Sequence, residues 1–163
     1  MNKLLIVVVF FGALISCKQQ DKKVGDDTPH PLAGEWRNVD LTVEYDKKNG
    51  QTTRVFAVDE NTWEDSLQIR PIRTYFKSDG TFNSEHFDLN DSLILDPSGT
   101  WLIENDMITM ITTKPFSDTT ACEYKINGDV VTFGCWVDWD QDGSKDDWYL
   151  GTQKRFAPAK TDN

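Results

Sequence analysis

The sequence contains few of the residues from which catalytic centres are usually built. It has two histidines and three cysteines in 163 residues. It contains no G-x-S-x-G, H-E-x-x-H or C-x-x-C stretch, which excludes the nucleophile elbow and the common zinc and dithiol motifs. His86 lies in S-E-H-F-D, where alternation along a strand predicts an outward, solvated side chain. The sequence therefore predicts a protein that is not an enzyme.

Positive charge is also scarce. Lys and Arg total 17 against 27 Asp and Glu, which gives a formal net charge of −10 at pH 7. An acidic surface repels phosphate backbones, so nucleic acid is not expected as a partner. Anionic lipid headgroups are poor partners of such a surface for the same reason.

Residues 1–16 have the composition of a signal peptide. Lys3 is the only charge, and the apolar run after it is shorter than the ~20 residues that span a bilayer. The run ends in L-I-S-C, which resembles the bacterial lipobox and predicts a mature chain that begins at a lipidated Cys17. The alternative is an ordinary signal peptide with a chance cysteine. The resemblance implies membrane attachment through Cys17, and Lys18 favours the outer membrane of a bacterial cell envelope.

The next segment, residues 17–33, is polar, contains Gly25, Pro29 and Pro31, and shows no hydrophobic period. Such a composition is typical of a flexible tether, in which His30 would be solvated. We expect one folded domain at residues 34–158 and a disordered tail at residues 159–163.

The domain sequence alternates short apolar-polar runs with turn signals. Asn49-Gly50, Asn105-Asp106 and Asn127-Gly128 separate runs that read as strands, and residues 59–69 are compatible with a short helix capped by Asp59. Eight to ten strands joined by hairpins predict an all-β antiparallel up-and-down meander, which protects its edges best when it closes into a barrel. An open β-sandwich is the alternative architecture.

The start of this domain carries a family resemblance. Leu32, Gly34 and Trp36 form an L-x-G-x-W stretch that resembles the opening signature of lipocalins. F-K-S-D-G-T-F at 76–82 and G-T-W at 99–101 are similar to small lipocalin-like lipoproteins of Bacteroidota. The resemblance implies a barrel of about eight strands, plugged at one end by Trp36, with Arg155 packed over the Trp ring. It also implies a small apolar ligand.

Two cysteines flank the turn at Asn127-Gly128. A four-residue loop at 127–130 would place Cys122 opposite Cys135, whereas a tight turn at Asn127-Gly128 would place Cys122 opposite Phe133. Because exported compartments permit disulfides, we expect a Cys122–Cys135 disulfide, with two free buried thiols as the alternative.

The stretch V-D-W-D-Q-D-G-S-K-D-D-W at 137–148 concentrates carboxylates. Its D-x-D-x-D-G part matches the first half of an EF-hand calcium loop, although Tyr149 stands at the twelfth position and the flanks read as strands. A structural Ca²⁺ in a hairpin is one interpretation and a solvated acidic turn is the other. The candidate ligands are Asp138, Asp140, Asp142, Ser144, Asp146 and Asp147. No other cofactor is expected.

These patterns together favour a lipid-anchored envelope protein whose barrel binds a small apolar molecule. The alternative is an interaction or accessory protein with a filled barrel, whose protein partners the sequence does not identify. The two differ in one structural property, because carriage of a ligand requires a cavity inside the barrel. Five tryptophans near the predicted turns would serve either core packing or a platform at the barrel mouth. They are Trp63, Trp101, Trp136, Trp139 and Trp148.

Overall fold

The computed structural model describes residues 29–156. Cys17, residues 18–28 of the predicted tether and the predicted tail at 159–163 lie outside these residues. The described part contains one α-helix, α1 (Trp63–Leu67), one 3₁₀ turn (Lys47–Asn49), and ten strands. The strands are β1 (Gly34–Glu44), β2 (Val55–Val58), β3 (Arg73–Phe76), β4 (Thr81–Phe87), β5 (Leu93–Leu95), β6 (Ser98–Glu104), β7 (Met107–Lys114), β8 (Asp118–Asn127), β9 (Val130–Val137) and β10 (Asp147–Arg155). Neither helical segment within 29–156 is long and apolar enough to cross a bilayer.

Eight of the strands form a closed antiparallel barrel. Their order is β1-β3-β4-β6-β7-β8-β9-β10, and β10 pairs with β1 to complete the ring. The remaining two lie outside it, with β2 paired to the end of β1 and β5 paired to the end of β4. The predicted all-β barrel is confirmed, and the β10–β1 pairing excludes the open sandwich because it leaves the main sheet without a free edge.

Alternating strand direction gives the barrel two distinct ends. The plugged end holds the start of β1 and the connections at 77–80, 105–106 and 128–129. The loop end holds the longer connections at 45–72, 88–97, 115–117 and 138–146. These two names are used below.

The turn predictions had different outcomes. Asn105 and Asp106, with φ of 49° and 62°, form a two-residue turn as expected. The Cys122–Cys135 register is as predicted, but the loop that sets it has two residues, because Asn127 also pairs with Val130. Asn49-Gly50 does lie in the connection between the paired strands β1 and β2, as expected, but it ends a 3₁₀ turn within the ten-residue connection 45–54, because pairing between the two strands stops at Glu44 and Val55.

Residues 59–69, whose sequence is compatible with a short helix, do contain one, α1. Asp59 does not cap α1 directly; its carboxylate accepts the backbone N–H groups of Asn61 and Thr62, 2.9 and 3.0 Å away, and so forms the turn that precedes the helix. The strand β5 has no counterpart among the predicted strands, because three residues are too few to show an alternation.

The barrel interior contains two apolar clusters. One lies toward the plugged end and includes Trp36, Phe76, Phe82, Ile108 and Phe133. The other lies toward the loop end, where Trp63 of α1 packs on Leu41, Val43 and Val58. The predicted disulfide is present, since Cys122 and Cys135 are bonded within the first cluster with an S–S distance of 2.07 Å.

Trp36 closes the plugged end. Its ring is fully buried, and its Nε1 donates a hydrogen bond of 2.7 Å to the carbonyl oxygen of Leu32. The Arg155 guanidinium carbon lies 4.2 Å from the centre of the Trp36 ring. Gly34 permits this approach: its φ is +137°, and a Cβ atom there would lie 2.5 Å from Nη1 of Arg155.

The same arginine binds residues that the sequence assigned to the tether. Nη1 of Arg155 donates to the carbonyl oxygen of Ala33 at 2.8 Å, and Nη2 donates to that of Pro31. Leu32 between them is fully buried, and the His30 ring packs edge-on against Trp101 with centroids 5.5 Å apart. Residues 30–33 are therefore part of the domain and not of a flexible tether, because an apolar side chain and two carbonyl groups gain partners on the barrel.

Candidate functional site

The acidic loop, residues 138–146, joins β9 to β10 at the loop end. Its carboxylates fold it by accepting its own backbone N–H groups: Asp138 accepts that of Gly143 at 3.1 Å, and Asp142 accepts that of Ser144 at 2.7 Å. Gly143 has a φ of +98°, a conformation that glycine adopts without a steric penalty. Part of the sequence pattern is thus explained by turn formation alone.

The loop nevertheless brings carboxylates close together. Oxygens of Asp138, Asp140 and Asp142 lie within 4.8 Å of one another, and so do oxygens of Asp142, Asp146 and Asp46. Asp46 belongs to the connection after β1, and no local spacing in the sequence could have identified it. One oxygen of Asp138, Oδ1, is buried and has no hydrogen-bond partner among residues 29–156.

Asp147 has a different task from the one the sequence suggested. It is fully buried, and its two carboxylate oxygens accept backbone N–H groups from Asp46 at 3.0 Å, from Trp139 at 2.8 Å and from Asp140 at 3.3 Å. It therefore fastens the acidic loop to the connection after β1. Within the described part of the chain Asp147 belongs to neither carboxylate group, whereas Asp146 faces Asp46.

The electrostatics of the loop disfavour ionisation of Asp140. Desolvation raises the pKa of Asp140, and the neighbouring charges of Asp142, Asp147 and Asp46 raise it further, against a hydrogen bond from the backbone of Asp142 that lowers it. A bound cation would relieve this repulsion. Carboxylate and carbonyl oxygens are the ligands that Ca²⁺ prefers.

A second candidate site is a cavity of about 190 Å³ inside the barrel. Twelve side chains line it, and half of them are polar. The polar ones are Asn38, Thr74, Ser84, His86, Tyr149 and Gln153, and the others are Ile72, Phe76, Phe82, Met110, Phe133 and Cys135.

Four of the polar side chains form a row across neighbouring strands. Gln153 on β10 and Asn38 on β1 are register partners, and Nε2 of Gln153 donates to Oδ1 of Asn38 at 3.1 Å. Thr74 on β3 and Ser84 on β4 are also register partners, with hydroxyl oxygens 3.1 Å apart. The strands β10, β1, β3 and β4 are adjacent in the barrel, so one wall of the cavity is polar. We call these four residues the polar row.

One acceptor in this row is unused. Gln153 is 8 % exposed, and its Oε1 is buried without a hydrogen-bond partner among the described residues. A buried amide oxygen in this state costs the fold about 1–3 kcal/mol relative to one that is hydrogen-bonded. The cavity therefore contains an acceptor that a donor could satisfy.

Burial keeps the two titratable groups of the cavity neutral at pH 7. It lowers the pKa of His86, and it raises the pKa of Tyr149 to about 12, against a smaller opposing effect of a hydrogen bond with Asn38. Within residues 29–156, the side chains that line the cavity include no Asp, Glu, Lys or Arg. The cavity thus offers hydrogen bonds without charge.

The position of His86 corrects the sequence prediction, which placed its side chain outward. On β4 the buried residue is Phe82, and residues two and four positions further along, Ser84 and His86, share its inward face. Phe87, the neighbour of opposite parity, packs beneath Arg73, 5.0 Å from the guanidinium carbon to the ring centre. Counting every second residue from Trp36 and from Arg155 would likewise have identified Asn38 and Gln153 as inward-facing.

Trp139 of the acidic loop lies between the two sites. Its ring stacks on Tyr149 at 6.1 Å and on Phe56 at 6.2 Å, measured between centroids. Trp136 and Trp148 pack against each other on β9 and β10, with Trp136 exposed. Trp136 and Trp148 therefore form a pair on the outer face of the barrel and Trp139 belongs to an inner stack, so these tryptophans do not form one platform at the mouth.

A wider groove of about 590 Å³ lies on the outside of the barrel, where β4 leaves β6 to pair with β5. Charged groups of both signs border it, namely Lys77, Glu85, Asp96 and Lys114. It concentrates no single chemistry, so the interior cavity and the acidic loop remain the candidate sites. No protein-family model matches this chain, and a search of curated proteins found no match either.

Proposed function

We propose that this chain is a lipid-anchored protein of the bacterial cell envelope, with a lipocalin-like barrel that binds a small, largely apolar molecule. The observation that carries the proposal is the cavity of about 190 Å³ between the two apolar clusters. The proposal contains no catalytic step.

The size of the cavity limits the ligand. An apolar cavity of about 150 Å³ can hold benzene, while sites for drug-sized ligands usually measure about 300–1,000 Å³. At about 190 Å³ the interior has room for a molecule of roughly one ring and a substituent. A long-chain lipid does not fit this volume unless the loop end opens.

Two features support the cellular location. The L-I-S-C stretch that ends at Cys17 is the part of the sequence on which lipidation rests. The Cys122–Cys135 disulfide is typical of a protein that folds outside the cytoplasm. We propose the outer membrane as the site of attachment, since Lys18 follows the modified cysteine.

Binding can be tested by filling the cavity. We expect saturation-transfer NMR on the mature chain, with Cys17→Ser to remove the lipid, to detect small-ring probes bound to the protein. Met110→Trp should abolish this binding, because it adds volume inside the cavity. Leu102→Trp is the matched control, because Leu102 is on the outer face of the barrel and 42 % exposed. Equal binding by the two variants would contradict an interior site.

Lipidation can be tested by intact-mass analysis of protein extracted from membranes. We expect a chain that begins at Cys17 and carries two or three acyl groups. Cys17→Ala should release the protein from the membrane fraction. A soluble, unmodified wild-type chain that begins at another residue would contradict the anchor.

A second candidate function is protein interaction, and exposed apolar residues at the loop end favour it. Leu93 and Ile94 on β5 and Phe116 in the β7–β8 connection are each at least half exposed. In this case the barrel is a scaffold and Met110→Trp has no functional consequence, whereas Leu93→Asp and Ile94→Asp abolish the interaction. Crosslinking of the envelope protein in cells, with each set of variants, separates the two functions.

A further inference from the structure

We infer that the ligand of the interior cavity is a neutral, single-ring molecule with an N–H or O–H donor, whose polar edge lies against the polar row. This inference rests on the proposed function, since it specifies the ligand of the same cavity. It departs from a purely apolar ligand, which is what the family resemblance implies.

The absence of charge in the lining supports a neutral ligand. An ion without a counter-charge loses far more hydration energy in such a site than neutral hydrogen bonds return. His86 and Tyr149 offer no compensation, because both are uncharged near neutral pH. A carboxylate or an ammonium group is therefore a poor occupant.

The polar row supports a ligand that forms hydrogen bonds. A barrel interior that serves only for packing is cheapest when it is apolar, since each buried polar group must find a partner. Asn38, Thr74 and Gln153 are each more than nine-tenths buried. All three have hydrogen-bond partners across strands, which leaves the row ordered and facing the cavity.

Gln153 supports a donor on the ligand. Its Nε2 is already bonded to Asn38, and its Oε1 remains without a donor among the described residues. The terminal torsion of a glutamine side chain is broad, so a small rotation brings Oε1 toward the cavity. A ligand N–H or O–H would then satisfy this acceptor, which the described residues leave unpaired.

The aromatic side chains that line the cavity support a ring. Phe82 and Phe133 flank Phe76, with centroids 6.4 and 6.1 Å from that of Phe76, and Met110 lies beside them. Aromatic edges and a thioether pack well against a planar ring. The cavity therefore combines aromatic side chains with the polar row, and Phe76 and Phe82 lie on the same two strands as Thr74 and Ser84.

The test uses three probes of one ring size: phenol, toluene and benzoate. Affinities for the complete mature chain with Cys17→Ser are measured by calorimetry and by saturation-transfer NMR at pH 7. We expect phenol to bind about tenfold more tightly than toluene, although toluene is the more hydrophobic of the two, because only phenol donates a hydrogen bond. We expect no binding of benzoate.

A variant assigns the effect to Gln153. Gln153→Met keeps the volume and removes the amide, so phenol should lose about tenfold in affinity while toluene keeps or gains affinity. Lys154→Met is the matched control, because residue 154 is the outward-facing neighbour and should change neither affinity. The order of the probes on the wild-type protein remains a test if Gln153→Met fails to fold.

The outcomes separate this inference from the proposed function. Tighter binding of toluene than phenol, or of benzoate than either, would overturn the inference and leave small-molecule binding in place. Binding of dodecanol without binding of any ring would have the same meaning. If no probe binds and no small molecule copurifies with the protein in native mass spectrometry, both are overturned.

Discussion

The acidic loop and the interior cavity are both built from polar side chains, yet their polar groups are assembled in opposite ways. The loop takes nearly all of its carboxylates from one contiguous stretch, and they satisfy their own backbone. The cavity takes one or two residues from each of several strands, and these pair across strands. A polar cluster within one stretch shapes a turn. A polar cluster spread over several strands comes together only when the barrel closes.

The chemistry of the two regions differs in the same sense. The loop is charged and largely exposed, and desolvation together with the neighbouring carboxylates raises the pKa of Asp140. The cavity is neutral and keeps one unsatisfied acceptor, Oε1 of Gln153. Cations should therefore act on the loop, and neutral molecules should act on the cavity.

The largest effect is expected at Asp147, the fully buried residue at the start of β10 whose carboxylate binds the acidic loop. Asp147→Ala leaves three backbone N–H groups without their acceptor, and we expect it to lower the free energy of unfolding by about 4 kcal/mol. Urea denaturation in EDTA measures it. The exposed Asp142→Ala is the control and should change stability by less than about 1 kcal/mol. Equal losses would mean that Asp147 does not fasten the loop.

The next effect concerns the cavity wall, to which Cys135 belongs. Replacing Cys122 and Cys135 together by Ala should cost about 3 kcal/mol in the chain-entropy model for a loop of this length. A reductant should destabilise the wild-type protein to a similar extent and leave the double variant unchanged. A double variant that still responds to the reductant would contradict this assignment.

A smaller effect tests whether the loop holds a cation. Calcium at about ten times its Kd should stabilise the mature chain by ~1.4 kcal/mol, which thermal melting detects as a shift of a few degrees. Magnesium should act much less, since it requires a tighter octahedron. Asp140→Ala should abolish the shift, and Asp46→Asn should reduce it if the second carboxylate group takes part. Equal shifts with both metals would identify the loop as a solvated turn.

The smallest effect is a dependence of stability on pH that originates in the cavity. Burial lowers the pKa of His86 in the folded state, so the unfolded chain takes up the proton first. The contribution of His86 to stability is therefore fully present above its unfolded pKa of about 6.5, and it decreases as the pH falls toward its folded pKa. His86→Gln should flatten the melting temperature between about pH 6.5 and 5, above the range in which carboxylates of the unfolded chain titrate. If the melting temperature of this variant depends on pH as steeply as that of the wild-type protein, a group other than His86 takes up the proton.

The two regions also differ in how far the sequence predicts them. Alternating strands and turn residues such as Asn105-Asp106 indicated the barrel, with an open sandwich as the alternative. Counting left two registers open across Cys122 and Cys135, and the expected disulfide selected the one that the structure shows. Asn49-Gly50 marked the connection between β1 and β2 but not its length of ten residues, because the point at which their pairing ends depends on long-range contacts.

The sites follow the same division. The spacing of Asp138, Asp140 and Asp142 is local and therefore visible in the sequence, while the approach of Asp46 depends on the closed barrel. Alternation places Asn38 and His86 inside the barrel only if it is counted from a residue known to be buried. That residue is Trp36 for Asn38 and Phe82 for His86. Polar residues on strands are usually solvated, and that expectation fails when the strand lines a cavity.

The hydrogen bonds from Arg155 to the carbonyl groups of Pro31 and Ala33 determine where a mechanical load would enter the domain. The guanidinium belongs to β10, and the two carbonyl groups lie just ahead of β1. If Cys17 carries a lipid, tension between the membrane and a bound partner reaches both strands of the closing seam at once. A pull along the axis of β1 then strains the β1–β10 ladder in shear, in which all its hydrogen bonds resist together instead of opening one after another.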